Sequence, residues 1–280
     1  EINQPGLIGQ LSKCVGLTDE SSVKDTPTIM TILRRDTEGE PREQTWSYRT
    51  AIGMLTYLGS TSRPDIKFAV HQCARFSSNP KKSHEIAVKR IVRYLMGTKI
   101  QGYILNPTDD RRLDCYVDAD FAGMWSPNEA EDPRSVLSRT GYVITYAGCP
   151  IRWVSKLQSE IALSMTEAEY IALSQSMRDL IPMKQLLKEV GPLCSLSEMD
   201  IVTHSTVFED NNGALELATA PKMRPRTKHI AIKYHHFREH VKRGTIKIQR
   251  VDTKEQLADI FTKPLPRDTF QYLRKKLCGW

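Results

Sequence analysis

Cysteine is scarce in this chain and follows no paired pattern. Six occur in 280 residues, at positions 14, 73, 115, 149, 194 and 278, with no CxxC pair. That scatter excludes a zinc ribbon and a disulfide frame, and fits reduced structural thiols in an intracellular protein. No apolar run approaches the ~20 residues that cross a bilayer, and no signal peptide opens the sequence. Repeats and low-complexity tracts are absent. With 40% hydrophobic and 26% charged residues, a disordered chain is excluded as well. An initiating methionine is missing too, and the opening at Glu1 leads us to expect a segment of a longer polyprotein. Acids are outnumbered, 33 against 40 Lys and Arg, and the net charge of +7 points towards a polyanionic partner.

The length suits about two domains. Residues 1–16 read as a short helix after Pro5, and residues 17–45 as a polar linker with a short strand near Thr28–Leu33. From Trp46, apolar residues recur at helical spacing in three runs, broken at Ser62–Asp65 and at Asn79-Pro80. The third run carries Lys81, Lys82, Lys89, Arg90 and Arg93, a basic face read as solvated or as phosphate-contacting. Gly97 to Asn106 reads as a turn into a strand. Residues 107–112 form a charged linker, so the expected domains are 1–45, 46–110 and 111–280.

Beyond that boundary the pattern is α/β. Leu113, Cys115 and Val117 alternate with polar residues, and Thr140–Tyr146 and Pro150–Val154 form a hairpin around Ala147-Gly148. Two helices follow, 164–177 with Thr166 as N-cap and 180–190. Strand 205–209, helix 211–220, strand 245–251, a helix at about 254–262 and a closing segment 270–277 complete the chain. This order predicts a mixed sheet with its first strand central.

The chemistry lies in the acids. Asp118 and Asp120 share a strand face, and a carboxylate on a buried face needs compensation. Glu169, Asp210 and Asp259 sit on elements able to return to that strand. Each has an alternative: Glu169 as a capping residue beside its competitor Glu167, Asp210 as an N-cap, Asp259 as a surface charge. Brought together, Asp118, Glu169, Asp210 and Asp259 would hold two divalent cations roughly 3.5–4 Å apart, the arrangement for in-line displacement at phosphorus. An all-oxygen set favours Mg²⁺ or Mn²⁺ over zinc.

The segments YVDADFAG, SRTGYVITYAG, WVSKLQSEIALSMTEAEYIALS, FEDNNGALELA, RTKHIAIKYHHFRE and DTKEQLADIFTKPL resemble the ribonuclease H domain of copia-type LTR retrotransposon Pol polyproteins. Upstream, YRTAIGMLTYLGSTSRPDIKFAV and HEIAVKRIVRYLMGT resemble the segment joining the polymerase to that domain, and residues 1–45 the end of the polymerase thumb. The resemblance implies a ribonuclease H-like, mixed five-stranded sheet flanked by helices, after a mostly helical thumb and connection segment. It also implies hydrolysis of the RNA strand of an RNA–DNA hybrid. By motif, Asp118, Glu169, Asp210 and Asp259 take the positions of the catalytic and metal-binding acids. The expected partners are the hybrid and the upstream polymerase region, with no membrane and no small-molecule cofactor. The expected location is intracellular, in a cytoplasmic virus-like particle or the nucleus. The histidine that many ribonucleases H carry before the last aspartate is replaced by Val251-Asp252-Thr253-Lys254, and the YxDD of reverse transcriptases is absent.

Residues 222–250 hold ten Lys or Arg against the single acid Glu239, with four of the seven histidines. No cysteine or carboxylate is spaced to complete a zinc set there. The stretch reads as a cationic face for a nucleic-acid backbone, with Lys228, His229, His236 and Arg238 as contacts. A non-catalytic module gripping template–primer is the competing reading. An integrase-like core would need a different acid spacing and a zinc module.

Overall fold

The computed structural model describes residues 1–127, 131–194, 205–220, 230 and 232–280. Helices α1 (Pro5–Cys14), α2 (Tyr48–Thr61), α3 (Lys67–Ala74) and α4 (Lys82–Gly97) come first. Strands β1 (Leu113–Asp120), β2 (Arg139–Tyr146) and β3 (Cys149–Leu157) precede helix α5 (Met165–Val190). Then follow β4 (Ser205–Glu209), α6 (Asn212–Thr219), α7 (Arg238–Lys242), β5 (Ile246–Arg250) and α8 (Arg267–Cys278). Two compact units result: Glu1–Leu105 with Lys263–Trp280, and Asn106–Thr262. Residues 263–280 group with the helices of the first unit. Among the described residues no helix is long and apolar enough to cross a membrane.

In the helical unit, local chemistry sets the helix starts. Pro5 opens α1, the Ser47 hydroxyl accepts the Thr50 N–H at 3.3 Å, and His84 Nδ1 accepts the Lys81 N–H at 2.9 Å. The apolar stripes meet in a core of Ile8, Leu11, Leu55, Leu58, Ile91 and Leu95. Within it lies a fully buried ion pair. Arg63 grips Asp65 through two bonds of 3.0 and 2.7 Å, and the Tyr94 hydroxyl donates to Asp65 at 2.5 Å. The guanidinium of Arg63 faces the Trp280 ring at 5.2 Å, and that of Arg274 faces it at 4.0 Å. This aromatic clamp ties the terminal segment to the helices, a contact that strand and helix periodicity do not reveal.

Two expected strands are absent. Residues 28–33 run as bends, and the stretch 97–106 contributes one isolated bridge, Tyr103 with Ile2. The basic face of α4 is largely engaged within the unit. Lys82 pairs with Glu40 at 2.5 Å, Lys89 with Glu85 at 2.8 Å, and Arg90 donates to Thr26 at 3.0 Å.

The second unit is a five-stranded mixed sheet in the order β3-β2-β1-β4-β5, with β1 central as expected. β1–β2 and β2–β3 are antiparallel, whereas β1–β4 and β4–β5 are parallel. These directions give the mixed five-stranded sheet that was expected. Ala147 and Gly148, at φ 50° and 77°, form the two-residue hairpin turn. Helix α5 packs Ala168, Ile171, Ala172 and Met177 against Cys115, Val117 and Ile144. Periodicity predicts two helices here, broken near Arg178-Asp179. The helix runs on instead, because Asp179 accepts Tyr142 Oη at 2.6 Å and Arg152 Nε at 2.8 Å while Leu180 stays buried. The expected helix at 254–262 is a pair of short 3₁₀ turns, Thr253–Glu255 and Leu257–Phe261.

That second turn lies directly against β2 at Gly141, which pairs with Asp118. A Cβ at Gly141 would stand 2.6 Å from Thr262 Cγ2 and 2.8 Å from Phe261 Cβ. Gly141→Ala is therefore expected to destabilise the unit by about 1–3 kcal/mol through overpacking, measured by urea denaturation. A wild-type midpoint would contradict the packing.

Candidate metal centre

Three of the four expected acids converge. One carboxylate oxygen each from Asp118, Glu169 and Asp210 lies within 4.8 Å of the other two. Asp118 is 3% exposed and Glu169 7%, so two carboxyl groups are held away from water beside the end of the central strand. β1 supplies Asp118 and, from the next residue, the Ala119 N–H that donates to the Glu169 carboxylate. The other oxygen of Glu169, Oε2, is buried without a hydrogen-bond partner.

Helix capping explains why Glu169 is available. The N-cap is Ser164, not Thr166: its hydroxyl accepts the Glu167 N–H at 3.1 Å, and Glu167 accepts the Leu163 N–H at 2.8 Å. Glu167 thus takes the capping role, and Glu169 turns one face onward to the sheet. Asp210 follows β4 and precedes Asn211, the N-cap of α6, whose side chain accepts the Ala214 N–H at 3.0 Å. The capping role predicted as an alternative for Asp210 therefore belongs to its neighbour. Gly213 lets α6 approach α5, since a Cβ there would sit 2.6 Å from Thr166 Oγ1. The Thr253 hydroxyl donates to Asp210 at 3.0 Å.

Asp259 is 5% exposed on the turn Leu257–Phe261 and is not a member of the three-carboxylate group. Its turn is nevertheless anchored to β1. Gln256 Nε2 donates to the Val117 carbonyl at 2.8 Å, and the Thr262 hydroxyl donates to Asp118. An acid that sequence reasoning missed is Glu209, fully buried at the end of β4, with Oε1 accepting the Asn211 N–H at 3.0 Å. Its position beside Asp210 after an apolar strand was the available signal.

Burial, reinforced by the charges of Asp118, Glu209 and Asp210, holds Glu169 well above the usual carboxylate range. Burial also raises Glu209, against the opposing Asn211 N–H and with Asp118 and Asp210 adding to the rise. An all-carboxylate set of this density suits a hard divalent cation. Among the described residues it is the one group of acids, histidines or cysteines close enough to hold a metal ion.

Of the expected nucleic-acid contacts, Lys228 and His229 lie outside the described residues. His236 is exposed beside α5, with Nδ1 3.4 Å from the Ser174 hydroxyl. Arg238 is half-buried and donates to the Ala220 carbonyl. His235 is bound to the Tyr170 hydroxyl at 2.7 Å, a structural engagement.

The raised carboxyl of Glu169 has a sign. The folded chain retains a proton that the unfolded chain releases above its ordinary value of 4.5, so rising pH costs the metal-free protein stability. Glu169→Gln is expected to match the wild type in urea below that value and to become progressively more stable than it towards neutral pH. A difference that does not grow with pH would contradict the repulsion.

No protein-family profile matches the chain. The retrovirus-related Pol polyprotein from transposon TNT 1-94 of Nicotiana tabacum is 40% identical over 232 residues, 83% of this chain and 16% of that protein. The corresponding polyprotein from transposon RE1 of Arabidopsis thaliana is 37% identical over 230 residues, 82% of this chain and 15% of that one. The chain thus spans 15–16% of the length of these relatives. Among solved structures, LC11-RNase H1 isolated from compost aligns with 54% of this chain and 93% of its own, at 16% identity and a TM-score of 0.36. At 37–40% identity over 82–83% of its length, the chain is a relative of one segment of these retrovirus-related Pol polyproteins of plant transposons.

Proposed function

We propose that this chain is the ribonuclease H portion of a retrotransposon Pol polyprotein, an endonuclease that hydrolyses the RNA strand of RNA–DNA hybrids. The observation that carries this reading is the meeting of Asp118, Glu169 and Asp210, from three distant segments, within 4.8 Å. Such a group is unfavourable unless something positive joins it. Oxygen donors alone, a buried carboxylate oxygen with no partner, and mutual repulsion all fit a divalent cation, with Mg²⁺ the proposed ion and Mn²⁺ a substitute. Asp118, Glu169 and Asp210 would hold it, with Asp259 as the fourth acid on the strength of its anchored turn. When bound, such ions activate water and stabilise the charge of the leaving oxygen.

The chain's own groups prepare the site. The Thr262 hydroxyl orients Asp118, the Ala119 N–H orients Glu169, and the Thr253 hydroxyl orients Asp210. Burial of Asp118 and Glu169 limits competing water. Lys228, His229, His236 and Arg238 are proposed as backbone contacts, giving sequence-independent and salt-sensitive binding. The upstream polymerase region of the same polyprotein is the proposed partner that delivers the hybrid. The proposed location is intracellular, in a cytoplasmic particle or the nucleus.

The test is cleavage of a labelled RNA–DNA hybrid in Mg²⁺. Asp118→Asn and Asp210→Asn are each expected to lower the rate by roughly 10²–10³-fold while the hybrid still binds. A wild-type chain that binds the hybrid without cutting it, with binding indifferent to chelation, would favour the non-catalytic grip instead.

A further inference from the structure

Glu209 is a buried acid beside the metal centre that the proposed reaction does not use. Strand alternation places it on the sheet face of Val207, which lies in the core under α5. The carboxylate is completely buried, at 0% exposure. Its two oxygens differ. Oε1 accepts the Asn211 N–H at 3.0 Å, closing the turn that carries Asp210, while Oε2 is buried with no hydrogen-bond partner. A carboxylate sealed in this way is costly, and one whose purpose was only to close the turn would be served by a neutral amide. Glu209 directly precedes Asp210 and closes its turn, and the charges of Asp118, Asp210 and Glu209 act on one another and on Glu169, so the bare oxygen belongs to the electrostatics of the acid cluster.

Resting on the metal-centre reading, we infer that Glu209 is a positioning residue of the cation site: one oxygen fixes the Asp210 turn, and the other supplies negative potential from beneath the ligating carboxylates. It acts through Asp210 and Glu169 and does not reach the substrate. Its contribution is the free energy with which a cation is held.

The test separates charge from turn geometry. Glu209→Gln keeps an oxygen to accept the Asn211 N–H and loses the charge, whereas Glu209→Ala loses both. Mn²⁺ binding to the full chain by calorimetry, with no substrate, is read beside the metal-free melting temperature. Glu209→Gln is expected to weaken Mn²⁺ binding by about 10–100-fold with no fall in melting temperature, and Glu209→Ala to weaken binding and lower the melting temperature. Unchanged Mn²⁺ affinity in Glu209→Gln, with wild type binding and Asp118→Asn not binding, would overturn this role and leave the metal centre standing. So would an affinity loss in Glu209→Gln accompanied by a lower melting temperature. If the wild type itself binds no Mn²⁺, the metal-centre reading and this inference fall together.

Discussion

The structure depends on an unfavourable interaction that is tolerated. Three carboxylates, two of them buried, stand close enough to repel one another, and a fourth, Glu209, lies sealed beside them. Nothing in the packing of a mixed sheet requires such a group. Folding must hold it against electrostatic strain, and the surrounding features read most simply as the means of doing so.

Those means are local and small. Glycine at 141 removes the side chain that would keep the Leu257–Phe261 turn off the sheet, and glycine at 213 removes the one that would separate α6 from α5. The hydroxyls of Thr253 and Thr262 and the Ala119 N–H each hold one acid. Gln256 spans from the last turn to the central strand. The scaffold thus fixes acids from distant positions to within a few ångströms of one another, which is the preorganisation that electrostatic catalysis uses.

Much of this was legible in the residues. Alternation at 113–117, the hairpin at Ala147-Gly148 and the order of the later elements pointed to a mixed sheet with its first strand central. Asp118, Glu169 and Asp210 were identifiable as partners. What escaped was set by tertiary contact. The gap left at 178–179 between two expected helices is part of one helix, where Tyr142 and Arg152 engage Asp179. The α4 cations look free until Glu40, Glu85 and Thr26 are found against them. Thr166 has a capping residue's chemistry, yet Ser164 stands where the helix begins. Arg63 and Trp280 meet across most of the chain's length, with Arg274 on the same ring, and no short window contains that contact.

The most direct trial of the central claim is anomalous diffraction from crystals of the chain soaked in Mn²⁺. The account expects a manganese peak coordinated by oxygens of Asp118, Glu169 and Asp210. Well-ordered side chains at those positions with no peak between them, or manganese bound elsewhere alone, would contradict it.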